Sequence, residues 1–223
     1  MDTKEKILMT ALHLFARHGY EAVSVSMIAE ELGITKGALY RHYKNKRDIF
    51  DSIVKRMFEL DAERAREYEV PEHLYEEQEE EYESVSVEQV MEFTSAQLTF
   101  WTEDDFASHF RKMLVLEQYR DEEIGKLYND CIVEGPISYL EDIFREMMER
   151  KRLKKEDPKL LAAEFYGPVF LWIQILDRDN KITVEKNKEG KNEEKKNEVK
   201  ELLQKHMNEF FMKFAFKSKE NGK

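Results

Sequence analysis

Residues 24–43 read SVSMIAEELGITKGALYRHY, and the side chains there that can do chemistry are cations and hydrogen-bond donors. Lys36, Arg41 and, just beyond, Lys46 can neutralise phosphates. Thr35, Tyr40 and His42 can donate hydrogen bonds to phosphate oxygens or base edges. Gly37 has no side chain, so the backbone there can approach another surface closely. Ser24 and Thr35 sit where an N-cap is wanted, and the free N–H groups that follow such caps favour phosphate oxygens.

These groups need short, rigid carriers. A first helix is expected over Thr3–His18, because Ile7, Leu8, Ala11, Leu14 and Phe15 fall on one helical face and Gly19 follows as a stop. A second runs from Val25 to Leu32, with Ile28, Ala29 and Leu32 facing inward. Gly33 permits a tight turn, and Thr35 caps a third helix from Lys36 to Tyr43, in which Leu39 and Tyr43 face the small core. Asn45 caps a fourth, with Asp48 at its N3 position, that runs from Lys46 to about Glu69 and stops before Pro71. Two short helices joined by a glycine turn let the second enter the major groove of a duplex, which is wide enough for one helix.

At these residues the chain resembles the TetR family of bacterial repressors. The resemblance rests on Phe15, Gly19, Tyr20, Ile28-Ala29, Gly33-Ile34, Lys36-Gly37, Leu39-Tyr40, His42-Tyr43 and Lys46, and covers residues 5–50. It implies that Ser24, Ser26, Thr35, Lys36, Gly37, Tyr40, Arg41, His42 and Lys46 contact DNA. It further implies a homodimer on a palindromic operator and a C-terminal body whose small-molecule effector releases the DNA. Two positions depart from the family's habit: Ser26, where a longer polar or basic residue is common, and Met27, where an acid is frequent.

Charge distribution agrees with this head. The whole chain of 223 residues carries −11, but residues 1–47 hold eight Lys/Arg against five Asp/Glu, a net +3, which leaves −14 on the rest. A basic head on an acidic body can dock on a polyanion. With 8 Gly, 4 Pro and no strand-like alternation, the chain reads as all-α: a head (1–47), a connecting helix (48–70) and an effector-binding and dimerisation domain (71–223).

The body is expected to be striped helices. Phe165-Tyr166-Gly167-Pro168 with Leu171 and Trp172, and the stripe of Leu203, Met207, Phe210 and Phe214, resemble the family's two dimerisation helices. Leu161, Phe165, Pro168, Trp172, Met207, Phe210 and Phe214 would form the interface, the alternative being that both helices are internal core. Pro168 should mark a kink. Trp101, Phe110, Met113, Tyr128, Tyr139 and Trp172 are candidate walls of a mostly apolar effector pocket, where Glu117 or a Tyr hydroxyl would orient a polar group. Gly135-Pro136 breaks the helical pattern, and Asp157-Pro158 starts another helix. The seven Glu of residues 72–83 read as a solvated loop or frayed helix, or a surface for a protein partner. Residues 183–200, rich in Lys, Glu and Asn, read as a linker or frayed helix end.

Other classes find no support. No nucleophile elbow, phosphate-binding glycine loop or zinc motif occurs, and the six His include no pair at i, i+4, so no catalytic residue, metal site or cofactor is expected. The single Cys131 cannot form an intrachain disulfide and fits a reducing compartment as a buried structural thiol. No signal peptide is expected, and Gly167–Leu176 is too short to span a bilayer. A cytoplasmic location with no membrane partner follows.

Overall fold

The chain folds into helices, several of which begin where a short polar side chain accepts from an otherwise unsatisfied backbone N–H. Its computed structural model describes residues 2–179 and 189–216. In order these are α1 (Thr3–His18), α2 (Val25–Glu31), α3 (Lys36–Leu39), α4 (Lys46–Glu67), α5 (Glu79–Glu83), α6 (Val87–Glu103), α7 (Asp105–Glu117), α8 (Glu122–Tyr128), α9 (Glu134–Glu149), α10 (Pro158–Asp179) and α11 (Glu189–Phe214). No strand occurs among the described residues, only an isolated bridge between Leu153 and Ala215. Asp2, Asp104 and Asp121 cap α1, α7 and α8 through their carboxylates. Asn45 accepts from the Asp48 N–H at 2.8 Å while Asp48 accepts from the Lys44 N–H at 2.8 Å, so α4 starts with a reciprocal cap. Asp157 accepts from the Leu160 N–H ahead of Pro158, a residue suited to the first helical position.

Two units emerge, each interleaved along the chain: Met1–Arg64 with Glu103–Ile132, and Ala65–Thr102 with Val133–Lys223. The chain therefore does not divide at the contiguous boundaries that the sequence suggests. In the first unit α1 packs along α7, and α2 packs on both α1 and α3. Ile7, Leu12, Phe15, Ile28, Leu39 and Ile49 make its buried centre. Gly19 closes α1 with its N–H donating to the Phe15 carbonyl, at φ +85°, and a Cβ there would lie 2.2 Å from Glu117 Oε1. Only glycine satisfies both demands.

In the second unit α10 packs against α9 and α11. Phe165 is fully buried, with the rings of Phe210, Phe144 and Phe211 centred 4.9, 5.6 and 5.6 Å away. α10 continues through Pro168, and the carbonyl that loses its partner belongs to Glu164, on the exposed side. By length and composition Pro158–Asp177 could cross a bilayer, so the apolar run is longer than Gly167–Leu176. It lays Leu161, Phe165, Val169, Ile173 and Leu176 into the core of its own unit.

Three expectations change. The helical pattern breaks before Gly135-Pro136, in a π-helical turn over Asn129–Val133; Pro136 sits in the first turn of α9, where its missing N–H costs nothing. The acidic stretch is anchored: Tyr82 is buried and donates to the His73 carbonyl at 2.9 Å, and α5 packs on α9. Residues 189–200 belong to α11, with Val199 buried, while residues 183–188 of the Lys/Glu-rich stretch lie outside the described residues.

Candidate nucleic-acid interface

The exposed face of α3 is built by the two residues it buries. Leu39 is fully buried and Tyr43, in the turn that follows, nearly so. Burial pushes the Tyr43 phenol up to about 12, so it stays a neutral donor, reaching the Lys4 carbonyl at 3.3 Å. These two anchors turn Thr35, Lys36, Gly37, Tyr40, Arg41 and His42 to solvent. Tyr40 is 51% exposed, which leaves its ring and hydroxyl available to another surface.

Both N-caps form as expected. Ser24 Oγ accepts from the Met27 N–H at 3.3 Å, and Thr35 Oγ1 from the Ala38 N–H at 3.1 Å. Each hydroxyl keeps its own proton for an outside acceptor. Gly33, at φ +64°, makes the turn between α2 and α3. Gly37 is different: nothing in the chain crowds it, since a Cβ there would meet only Thr35 Oγ1 at 3.8 Å. A glycine inside a helix costs roughly 0.5–1 kcal/mol relative to alanine. No packing demand within the chain offsets that cost.

α3 ends at Leu39, shorter than the Lys36–Tyr43 expected. The Arg41 and His42 N–H groups donate three residues back, to Ala38 and Leu39, so the last turns tighten. Ser26 is half-buried in the first turn of α2. Lys46 departs furthest from its expected role. Its ammonium donates to the Tyr20 carbonyl at 2.9 Å, reaches the Glu21 carbonyl at 3.4 Å, and lies 4.2 Å from the centre of the Tyr20 ring. It therefore fastens the turn after α1 to the start of α4 in the free protein. Arg47, which sequence reasoning missed, forks between Asp51 and Glu123 and so ties α4 to α8. Its hydrogen bonds, to Glu123 first and then Asp51, hold the guanidinium well above its ordinary range. The Asp51 partner, one helical turn on, is the signal that could have revealed it.

The remaining expected sites separate. Phe110, Met113, Glu117 and Tyr128 lie in the first unit; Trp101, Tyr139 and Trp172 lie in the second. Phe110 and Met113 are fully buried, and Glu117 is buried beneath Gly19. Tyr139 donates to the Pro71 carbonyl at 3.0 Å. An open groove of about 760 Å³ runs between α4 and α8, lined by Phe50, Val54, Phe58, Leu127 and others, none of them among those seven. Cys131 is half-buried, and its burial pushes the thiol up to about 12, which fits a structural thiol.

The expected dimer residues need correction. Leu161, Phe165, Met207, Phe210 and Phe214 are buried inside the protomer and cannot present a surface to a second copy. Pro168 and Trp172 are half-buried. The apolar residues that stay outside are Leu160 (69% exposed) and Leu171 (56%) on α10, and Leu202 and Met212 (75%) on α11. On α10 they share a face with Glu164 and Gly167, at spacings of four, three and four; the first of these, Glu164, pairs with Lys213 at 2.7 Å.

Residues 7–53 match the family described as bacterial regulatory proteins, tetR family. Over 52 residues the chain is 42% identical to the HTH-type transcriptional regulator AcrR of Shigella flexneri; this stretch is 23% of the chain and 24% of that relative, so only about a quarter of the relative's length is matched. The fold extends further than the sequence likeness. SmeT, the repressor of the Stenotrophomonas maltophilia multidrug efflux pump SmeDEF, superposes over 96% of this chain and 91% of its own at a TM-score of 0.61 and 17% identity. The SmeT–triclosan complex does so over 96% and 92% at a TM-score of 0.63, again at 17% identity.

Proposed function

We propose that the chain, whose residues 7–53 match the bacterial regulatory proteins of the tetR family, is a cytoplasmic repressor of that kind, a homodimer on a palindromic operator, released by a small-molecule effector. One observation carries the DNA-binding part: α3 and the residues flanking it bury Leu39 and Tyr43 and turn a hydroxyl, two cations, an imidazole and an exposed phenol ring outward, around a glycine that nothing in the chain needs. Arg41 and Lys36 meet phosphates or guanine edges. Tyr40, His42 and Thr35 supply directional hydrogen bonds, and Gly37 lets the backbone approach the duplex. Ser24 and Ser26 reach the phosphates beside α2, and the donor of Lys46 that is not engaged internally reaches another.

Dimerisation uses the exposed α10–α11 face centred on Leu171 and Met212. Two helices from each protomer then form a four-helix bundle, with Gly167 allowing close approach. SmeT has been solved with triclosan, and we place binding of an apolar small molecule in the body of this chain as well. The groove beside Phe50 and Phe58 offers open space for it; of the expected walls, Phe110, Met113, Glu117 and Tyr128 belong to the same unit as that groove, and a rearrangement within the unit would open them. Control by a protein partner through the acidic stretch is less well supported, because Glu81 and Glu83 there are paired with His73 and Arg150 of the same chain.

The test is fluorescence anisotropy with DNA from upstream of the protein's own gene. Arg41→Ala and Tyr40→Ala should each weaken binding about tenfold or more, the worth of one good contact per half-site, while the melting temperature holds. Association that is sequence-blind and vanishes at modest salt would end this reading.

A further inference from the structure

The fold brings together two histidines that lie 96 positions apart. His13, on α1, and His109, on α7, face each other with ring centres 4.3 Å apart, and Asp105 stands between them. His13 Nε2 is 3.0 Å from Asp105 Oδ2, and His109 Nδ1 is 3.3 Å from Asp105 Oδ1. One ligand atom from each residue lies within 4.8 Å of the other two.

We infer that His13, Asp105 and His109 form a binding site for a borderline divalent transition metal such as Zn²⁺, cross-linking α1 to α7.

The donor set selects the ion. Two imidazoles and one carboxylate suit Zn²⁺, Co²⁺ or Ni²⁺, and not Mg²⁺ or Ca²⁺, which want oxygen alone. A tetrahedral ion with bonds of about 2.0–2.2 Å holds its ligands roughly 3.3–3.6 Å apart. His13 Nε2 and Asp105 Oδ2, at 3.0 Å, lie just below that range and all three ligand atoms lie within 4.8 Å of one another, so side-chain rotations suffice. Asp105 and His109 stand at i and i+4 on one face of α7, and the tight packing of α1 on α7 supplies the third ligand. His109 Nδ1 also lies 2.7 Å from the Asp105 carbonyl oxygen, a bond that orients the ring and leaves Nε2 as its ligand atom. His13 and His109 are half-buried and Asp105 is exposed, so an ion has an entry path, and water can fill the fourth position. α1 is the helix on which α2 packs, so the ion would fix the scaffold of the DNA-contacting face to α7.

The experiment uses the full, tag-free chain and Co²⁺ as probe. Visible ligand-field absorption should rise to saturation at one equivalent per chain and collapse on adding Zn²⁺. His13→Ala and His109→Ala should each weaken binding by more than about tenfold, the loss that even an outer-shell partner can cause. In the unaltered chain, substoichiometric Co²⁺ should broaden the ring signals of His13 and His109 before those of His18, His42, His73 and His206. Binding that survives either substitution, or broadening that strikes the other histidines first, overturns the proposal. That second readout needs no variant, so a misfolded His13→Ala leaves the question decidable. DNA binding plays no part in either measurement, so its failure would leave the site standing.

Discussion

Replacing Lys36 with alanine removes one exposed cation from α3 and nothing from the core. Each phosphate neutralised by such a cation releases about 0.9 counterion, so log K falls against log salt with that slope per contact. The proposed two-fold dimer would lose the contact twice. The slope should therefore flatten by about 1.8. At roughly 0.15 M salt the distance to the 1 M reference is about 0.8 log units, so each contact contributes about 0.7 log units to the binding constant. Two contacts amount to about 1.5 log units, a thirtyfold loss or ~2 kcal/mol. Because Lys36 is a surface residue, unfolding free energy should hold within about 0.5 kcal/mol. Anisotropy titrations at four or five salt concentrations, alongside circular dichroism, measure all three quantities. Lys155→Ala, in the exposed turn before α10, is the comparison. A slope that stays put, or one that flattens equally in Lys155→Ala, would show that α3 does not lie against the phosphates.

Gly19→Ala should destabilise the chain by about 1–3 kcal/mol, because φ is +85° there and the new Cβ would meet the buried Glu117 carboxylate; urea unfolding checks this, and a change under about 0.5 kcal/mol contradicts it. Leu171→Glu should convert the dimer to folded monomers in sedimentation, whereas Phe165→Glu, which buries a carboxylate among Phe144, Phe210 and Phe211, should unfold the second unit; a dimer intact in Leu171→Glu refutes the proposed face. The His73–Glu81 contact makes order in residues 72–83 depend on pH. Its hydrogen bond to Glu81 raises the His73 pKa, so that contribution is complete below the ordinary value of about 6.5 and is lost as pH rises through the higher folded value. The His73 contacts lower Glu81 against the opposing effect of burial, so that contribution is present above the ordinary carboxylate value and is lost as pH falls through the lower folded one. Proteolysis of the stretch should accordingly be slowest near pH 5–6 and quicken on both sides; a rate that does not vary with pH refutes the coupling.

What could be read from the residue order alone follows the range of the interactions involved. Ser24, Thr35 and Asn45 were legible as caps because each closes a hydrogen bond three residues on. Gly19 and Gly33 were legible as turns for the same reason. Leu39 and Tyr43 were legible as anchors because they stand four residues apart, and both are buried although α3 ends at the first of them. The end of α3 was misjudged by four residues, where bonds to the third residue back replace those to the fourth.

Longer-range facts were closed to that kind of reading. A stripe such as Phe165, Phe210 and Phe214 announces that it will be buried but not what buries it. Here Phe144 of α9 and Phe211 of α11 fill the place assigned to a second protomer. The acidic composition of residues 72–83 masks Tyr75 and Tyr82, two aromatic anchors that hold the stretch down. Lys46 shows the limit most sharply. Its type and position suit a phosphate contact, yet the carbonyls of Tyr20 and Glu21 already claim it. A lysine with three donors can serve both, and then the α1–α4 joint and the duplex compete for one ammonium. Removing it would cost fold and affinity together, in contrast to Lys36, where only affinity should move. That difference between two lysines ten residues apart follows from the packing of the turn after α1 on α4, where the Tyr20 ring lies 5.0 Å from that of Phe50, and no spacing rule records it.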